Sequence, residues 1–128
     1  MKGHFSGGYV LAPIRPGYWE YRPVPWDPFA FTRPNGMKIV LPIPFETDMA
    51  STPRALWSIP GYAPIDMEGP ALIHDWLYQA HHDGREILGF GASNRVLGEA
   101  CEAYGYSSWK AWTIREACDW FGKGIWKG

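Results

Sequence analysis

The distribution of proline constrains the fold of this chain more than any other feature of its sequence. All twelve prolines lie at or before Pro70, and the residues after it contain none. Because proline lacks a backbone donor and breaks helices, the first half of the chain cannot be mostly helical, whereas the second half can. In the first half, aromatic and β-branched residues form short runs bounded by proline, a pattern typical of short strands. The runs are Tyr9–Leu11, Tyr18–Tyr21, Phe29–Thr32 and Lys38–Leu41.

The most specific local signal lies between the last two runs. The tetrapeptide Arg33-Pro34-Asn35-Gly36 combines a proline that presets φ with an Asn-Gly pair that tolerates positive φ. A turn of this composition predicts a β-hairpin that joins Phe29–Thr32 to Lys38–Leu41.

Beyond Phe45 the sequence favours helices. The tripeptide Ser51-Thr52-Pro53 offers a hydroxyl N-cap followed by proline at the first helical position, which predicts a short helix that stops near Pro60-Gly61. Apolar residues spaced three and four apart, with serine or glycine near the ends, predict three longer helices. These helices run from Ala71 to about His82, from Ser93 to about Tyr104, and from Ser107 or Ser108 to Phe121.

The order of these elements predicts a single α+β domain over residues 1–128. A small, irregular, proline-bounded antiparallel sheet occupies the N-terminal half, and a bundle of three to four helices follows it. Residues 1–45 form the aromatic, proline-rich strand region, and residues 46–128 form the mainly helical part. We expect the tryptophans of the predicted helices in the core. They are Trp57, Trp76, Trp109, Trp112 and Trp120.

Composition excludes several functional classes. Lys and Arg total 12 against 13 Asp and Glu, and neither half of the chain is basic, so binding along nucleic-acid phosphates is not expected. No apolar stretch is long enough to cross a membrane, and the first residues lack the apolar region of a signal peptide, so we expect a soluble protein without an export signal. The two cysteines, Cys101 and Cys118, cannot form a disulfide framework, and we expect buried thiols in a reducing compartment.

Two segments place ionisable side chains within apolar stretches, Thr47–Pro53 and His74–Tyr78. A buried charge needs a partner, and in the simplest pairing Asp48 accepts a hydrogen bond from His74. Such a pair would fix the imidazole tautomer and raise its basicity, as a general base requires. A purely structural His–Asp pair has the same appearance. We therefore treat His74, Asp75 and Asp48 as candidate catalytic residues, and favour a structural polar network as the alternative.

A metal ion shared between the helical histidines is excluded by distance. His74 and His81 share a face of one predicted helix but lie roughly 10 Å apart along its axis, whereas a Zn–N bond measures about 2.0–2.1 Å. We predict no metal and no other cofactor, and we expect His81 and His82 at a solvated helix end. A metal at His74 would have to recruit carboxylates from elsewhere. The candidates are Asp48, Asp75, Glu116 and Asp119.

The pattern His74-Asp75-x-x-Tyr78 resembles the active-site helix of secreted phospholipases A2. In those enzymes the histidine activates water, the following aspartate holds calcium, and the tyrosine supports the pair. The flanking cysteines and the glycine-rich calcium loop are missing from this chain, so we carry over neither the lipase activity nor the calcium.

A wider resemblance rests on four features of the second half of the chain. They are Thr47–Arg54 with Leu56-Trp57, Ala71–Tyr78, a helix that begins at Ser93, and a last helix that ends at Gly122. In this combination the chain resembles domain-of-unknown-function family 1353 from about Phe45 to Gly122. That family is found mainly in tailed bacteriophages and prophages and has no established activity, so the resemblance implies a phage setting rather than a reaction. The family usually reads Ala-Asp where this chain has Ser93-Asn94.

The aromatic residues of the N-terminal segment are more numerous than a short, interrupted sheet can easily cover. Exposed rings of this kind mark a protein interface or a sugar-stacking surface, and a core role that closes the sheet over the helices carries equal weight. The candidate interface residues are Trp19, Tyr21, Trp26 and Phe29.

The function that these observations favour is that of a bacteriophage virion-associated structural protein, a tail or tail-assembly component that contacts neighbouring subunits. We expect other virion proteins as partners, an oligomeric or assembled state, no specific nucleic acid and no transmembrane segment. The protein would occupy the host cytoplasm during assembly and then the virion. The alternative is an envelope-degrading hydrolase of peptidoglycan or lipid that uses a His–Asp site, with or without a metal ion.

Overall fold

A computed structural model gives the fold of the chain and describes residues 2–49, 57, 59–60 and 62–128. Within these ranges the strands precede the helices, which confirms the α+β class. The strands are β1 (His4–Ser6), β2 (Tyr9–Arg15), β3 (Tyr18–Pro23), β4 (Ala30–Thr32), β5 (Lys38–Val40) and β6 (Phe45–Thr47). The helical elements are a 3-10 helix (Pro64–Met67), α1 (Glu68–His82), α2 (Phe90–Tyr104), α3 (Ser108–Phe121) and α4 (Lys123–Lys127).

The described strands form two antiparallel sheets of three strands each. The first has the order β1-β4-β5, and its central Phe31 pairs with Phe5 on one side and Ile39 on the other. The second has the order β2-β3-β6, and Tyr21 of its central strand pairs with Phe45. These paired residues are buried in the core or packed against it, so each sheet turns one apolar face inward.

The predicted hairpin is confirmed as β4 and β5. In its turn, the backbone N–H of Arg33 donates to the carbonyl of Met37 at 2.8 Å, and the Asn35 side chain accepts from the N–H of Met37 at 2.9 Å. Gly36 adopts a φ of 91°, which glycine permits at no steric cost. The strands β1 and β6 were not predicted, because neither is joined to its neighbour by a recognisable turn such as the Asn-Gly turn between β4 and β5.

The three long helices are confirmed, with earlier starts for two of them. Helix α1 begins at Glu68, before Pro70, because a proline in the first turn removes an N–H that has no helical partner anyway. Helix α3 begins after Ser107, whose hydroxyl accepts from the N–H of Lys110 at 3.2 Å. Helix α2 ends at Tyr104 and is followed by Gly105, where φ is 115°. None of the described helices has the length and apolar character that crossing a membrane requires.

The short helix expected to begin at Ser51 falls mainly on residues outside the described ranges. Helix α4 was not predicted, because it has only five residues between two glycines.

Buried apolar residues form two clusters. The larger cluster joins both sheets to α1 and α2 and includes Trp76, as predicted. The smaller cluster lies where the 3-10 helix, α2 and α3 meet and consists of Met67, Leu97, Cys101, Ala111, Ile114 and Cys118. Both cysteines are free thiols, and burial raises the pKa of Cys101 to about 12 and the pKa of Cys118 as well. The prediction of two buried thiols is therefore confirmed.

The prediction for the inward face of α3 is wrong. Trp109, Trp112 and Trp120 were expected in the core, but their exposed fractions are 71, 48 and 76 %. The buried residues of this helix are Ala111, Ile114 and Cys118. The reason is the close approach of α2, because a Cβ atom at Gly98 would lie only 3.4 Å from the Cβ of Arg115. Small side chains fit this gap, and the indoles lie outside it.

Candidate functional site

His74 is fully buried on α1 and takes part in a hydrogen-bond network that joins three helices. Its Nε2 atom lies 2.8 Å from Oδ1 of Asn94 on α2. The hydroxyl of Tyr78, one turn along α1, donates to the same Oδ1 at 2.8 Å. On the other side, Nδ2 of Asn94 donates to Oδ1 of Asp119 on α3 at 2.9 Å. We call these four residues the His74 network.

The network fixes the tautomer of His74. An amide oxygen only accepts hydrogen bonds, so the proton of the neutral imidazole lies on Nε2 and its lone pair on Nδ1. Burial lowers the pKa of His74 to about 4, although the hydrogen bond to Asn94 and the negative charge of Asp119 act in the opposite direction. His74 is therefore uncharged at neutral pH.

The sequence suggested the Asp48 carboxylate as the partner of His74, whereas the structure places the Asn94 amide at Nε2. The packing of α2 along α1 decides this contact. A neutral amide does not raise the basicity of an imidazole as a carboxylate does. A signal for Asn94 was present in the sequence, because it precedes Leu97 and Cys101 by three and seven residues and so shares their inward face.

Asp75 contacts the second sheet. Its Oδ2 accepts a hydrogen bond from the Thr47 hydroxyl at 2.5 Å, and the same hydroxyl oxygen accepts from the N–H of Met49 at 2.8 Å. Met49 has a φ of 57°, a conformation that few residues other than glycine adopt. Asp75 thus holds the chain where it leaves β6.

Asp48 lines a cavity of about 430 Å³ between the second sheet and the start of α1. The described residues that line the cavity are Leu11, Trp19, Asp48, Met49, Trp57, Ala63 and Glu68. In the described contacts, His74 bonds to Asn94, Asp75 bonds to Thr47, and Asp48 lines the cavity beside Met49.

The histidines at the end of α1 hold helix α4. The ring of His81 stacks on Trp126 with centroids 3.7 Å apart, and its Nδ1 lies 2.6 Å from a carboxylate oxygen of Glu86. Nε2 of His82 lies 2.9 and 3.0 Å from the carbonyl oxygens of Ile125 and Trp126. The predicted solvated helix end is thus partly covered by α4. Across the described residues, no group of three or more His, Cys, Asp or Glu side chains could hold a metal ion.

Comparison with known families matches residues 26–117 to a family described as "Protein of unknown function (DUF1353)". The match covers more than two thirds of the chain. The chain belongs to the DUF1353 family. No curated protein and no solved structure matched it.

The DUF1353 match begins at residue 26. The resemblance recognised in the sequence begins only at about Phe45, so the match reaches further toward the N-terminus. It includes strands β4, β5 and β6 together with α1, α2 and most of α3. Three members of the His74 network lie inside it, and Asp119 lies just beyond its end. Strands β1 to β3 and helix α4 lie outside the matched residues.

The four candidate interface residues of this DUF1353 protein occupy three different environments. Tyr21 and Phe29 are buried in the larger core cluster, and the Tyr21 hydroxyl donates to the carbonyl of Leu41 at 2.8 Å. They cannot serve as interface residues in this fold, because the sheets close over α1 and α2. Trp19 is half-buried at the cavity, and only Trp26, 86 % exposed, is left as a surface candidate of the four.

A second aromatic surface was not recognised in the sequence. Trp109, Trp112 and Trp120 lie within an arc of roughly 80° on α3, since each residue turns the helix by about 100°. This arc is opposite the buried Ala111, Ile114 and Cys118. The rings of Trp109 and Trp112 stack with centroids 5.4 Å apart. We call this surface the α3 tryptophan face, and it extends for roughly 16 Å along the helix axis.

Proposed function

We propose that this DUF1353 protein is a structural component of a bacteriophage virion, in the tail or in tail assembly, where it contacts neighbouring subunits. The α3 tryptophan face carries the proposal. Three large apolar rings on one side of a helix leave a surface that a partner protein would cover, and tryptophan is among the residues that dominate the energy of such contacts.

The His74 network supports a structural role. His74 is buried, uncharged and bonded through Nε2 to a neutral amide, whereas a general base is strengthened by a carboxylate in that position. Through Asn94 the same network reaches Asp119, directly before Trp120. It therefore holds α3 against α1 and α2 and fixes the direction in which the tryptophans point.

The phage setting of the proposal rests on the family resemblance in the sequence. The partners are other virion proteins, and the protein occupies the host cytoplasm during assembly and the virion afterwards.

The experiment is mass spectrometry of particles purified from the phage or prophage that encodes the chain, to measure its copy number. We expect a stoichiometric copy number.

The double variant Trp109→Ser/Trp120→Ser should be missing from the particles although it folds, because both rings are largely exposed. Trp26→Ser is the matched control, since it removes an exposed indole outside α3, and it should be incorporated normally. Absence of the natural protein from purified particles, or normal incorporation of the double variant, would contradict the proposal.

A second candidate function, hydrolysis of a lipid ester of the host envelope, is favoured by one observation. His74 and Tyr78 donate to the same oxygen of Asn94, which orients the imidazole with Nδ1 as its basic atom. The pattern His74-Asp75-x-x-Tyr78 resembles the active-site helix of secreted phospholipases A2. In those enzymes the histidine activates water, and the tyrosine supports the histidine and the aspartate. In such a reaction Nδ1 would take a proton from the attacking water and return it to the leaving alcohol, and because His74 is fully buried, the helices around it would have to open to admit both water and ester.

The double variant Asn94→Asp/Asp119→Asn tests this candidate, because the exchange avoids two carboxylates facing each other across the 2.9 Å contact between these positions. A carboxylate at position 94 should raise the pKa of His74 and accelerate the hydrolysis of phospholipid vesicles, while His74→Gln should abolish it. Equal release of fatty acid by the natural protein, His74→Gln and a protein-free blank would reject the candidate.

A further inference from the structure

We propose that the cavity beside Glu68 is a binding site for a small organic cation, an alkylated amine or a quaternary ammonium group. The cavity lies on the sheet side of α1, and the inference is independent of the α3 tryptophan face. Its volume, about 430 Å³, falls in the range of small-molecule sites, which is roughly 300–1,000 Å³.

Two indoles and two carboxylates give the cavity its chemical character. Trp19 belongs to β3, and Trp57 lies beyond the end of β6. Both side chains are half-buried, so part of each ring is accessible to a ligand. The carboxylates are those of Asp48 and of Glu68, the first residue of α1. None of the described lining residues is a lysine, arginine or histidine.

The carboxylate of Glu68 is oriented before a ligand arrives. The Tyr9 hydroxyl donates to its Oε1, and burial raises the pKa of Tyr9 far above its usual value, so this donor keeps its proton. The ring of Tyr9 is itself held, with its centroid 4.8 Å from that of Phe29. Among the described residues, no hydrogen bond reaches Oε2 of Glu68, which can therefore accept from a ligand or face its positive charge.

This combination fits an organic cation better than other ligands. Indole rings attract cations through their faces, and recognition of quaternary ammonium groups is a known use of such rings. The remaining lining residues, Leu11, Met49 and Ala63, suit the alkyl groups of the same ligand. An anion would meet the Glu68 carboxylate, and a hard metal ion takes six or more oxygen ligands, which the described lining residues, mostly apolar, are too few to supply.

The test is calorimetric titration of the full chain with choline and with dimethylbutanol, its neutral carbon isostere. The two probes have nearly the same shape and differ in charge. We expect choline to bind at least about tenfold more tightly, because only the cation gains from the indole faces and the carboxylate.

Glu68→Gln should weaken choline binding by about tenfold and leave dimethylbutanol unchanged, since glutamine still accepts from Tyr9 but carries no charge. Trp19→Leu should weaken choline binding in the same direction, because it removes one cation-binding ring and keeps an apolar side chain. Glu86→Gln, which neutralises an exposed carboxylate in the segment after α1, is the matched control and should leave choline binding unchanged.

Equal affinity for the two probes would overturn the proposal, as would no choline binding at tens of millimolar. Tighter binding of N-acetylglucosamine than of choline would overturn it in favour of a sugar site. If Glu68→Gln does not fold, the comparison of choline with dimethylbutanol on the natural protein decides the question without it.

Discussion

Asn94 decides the chemistry of His74. Its single amide oxygen accepts from both the imidazole and the Tyr78 hydroxyl, and its amide nitrogen donates to Asp119. An aspartate at this position would hold a negative charge against the imidazole and favour its protonated form. The amide accepts the same two hydrogen bonds without that charge and also donates to Asp119, which an aspartate could not do, so burial prevails and His74 stays neutral.

Acid should destabilise the protein through His74. The pKa of this histidine falls from 6.5 to about 4 on folding, so between these values the unfolded chain binds a proton that the folded protein does not. Its contribution is fully present above pH 6.5. The free energy of unfolding should fall progressively as the pH drops from about 6.5 to about 4, by roughly 3 kcal/mol in total.

Denaturant unfolding between about pH 7 and about pH 4.5 measures this loss. His74→Gln is the control, because glutamine can still donate to Asn94 but does not titrate in this range. The difference in unfolding free energy between the two proteins should shrink as the pH falls. Parallel pH profiles would show that His74 does not titrate as the network implies.

The packing of α2 against α3 buries Ala111, Ile114 and Cys118 and leaves the three tryptophans of α3 outside. Gly98 brings the two helices close together, and the side chain and backbone it faces belong to Arg115 and Ala111. A helix with apolar residues on more than one side can turn either side inward, and the width of the gap decides which. The α3 tryptophan face is exposed for this reason.

Gly98→Val should therefore destabilise the protein by about 1–3 kcal/mol, because a Cβ there already contacts Arg115 and Ala111 and the γ carbons of valine must displace the Arg115 side chain. Gly91→Ala is the control on the same helix, since a Cβ there meets nothing within 4 Å. It should be neutral or stabilising by about 0.4–1 kcal/mol. Thermal unfolding measures both changes, and a Gly98→Val protein as stable as the natural one would contradict the close packing.

The first sheet and the helices are joined into one molecule by a partly buried ion pair as well as by the core. Nε of Arg33 lies 2.7 Å from one carboxylate oxygen of Glu99, and an Nη atom lies 3.2 Å from the other. The two side chains are 10 and 23 % exposed. Arg33 follows β4 and Glu99 lies on α2, so this two-pronged contact fixes the hairpin on the helical part.

Glu99→Gln should lower the free energy of unfolding by about 1–3 kcal/mol, because it leaves a partly buried guanidinium without its charged partner. Glu20→Gln is the control, since Glu20 pairs with Arg22 at an exposed site, and it should cost less than about 0.5 kcal/mol. Far-ultraviolet circular dichroism and tryptophan fluorescence should report one shared transition in both variants. Separate transitions for sheet and helices would contradict a single unit.

The sequence alone determined the class of the fold, the β4-β5 hairpin, the three long helices and the burial of Cys101 and Cys118. These features follow from local causes: proline and glycine restrict the backbone of their neighbours, serine caps a helix, and apolar spacing defines a helix face. For the candidate site, the sequence identified His74, Asp75 and Tyr78 as a chemical pattern but did not identify the partner of His74.

Only the tertiary structure decided the side of α3 that faces the core, the contact between His74 and Asn94, and the burial of Tyr21 and Phe29. Each of these depends on the distance between elements that are far apart in the chain. Strand β1, for example, exists only because β4 pairs with it. Neighbouring residues set the backbone conformation. The distance between α2 and α3 at Gly98, in contrast, sets which side chains fit between these helices. That distance exists only in the folded molecule.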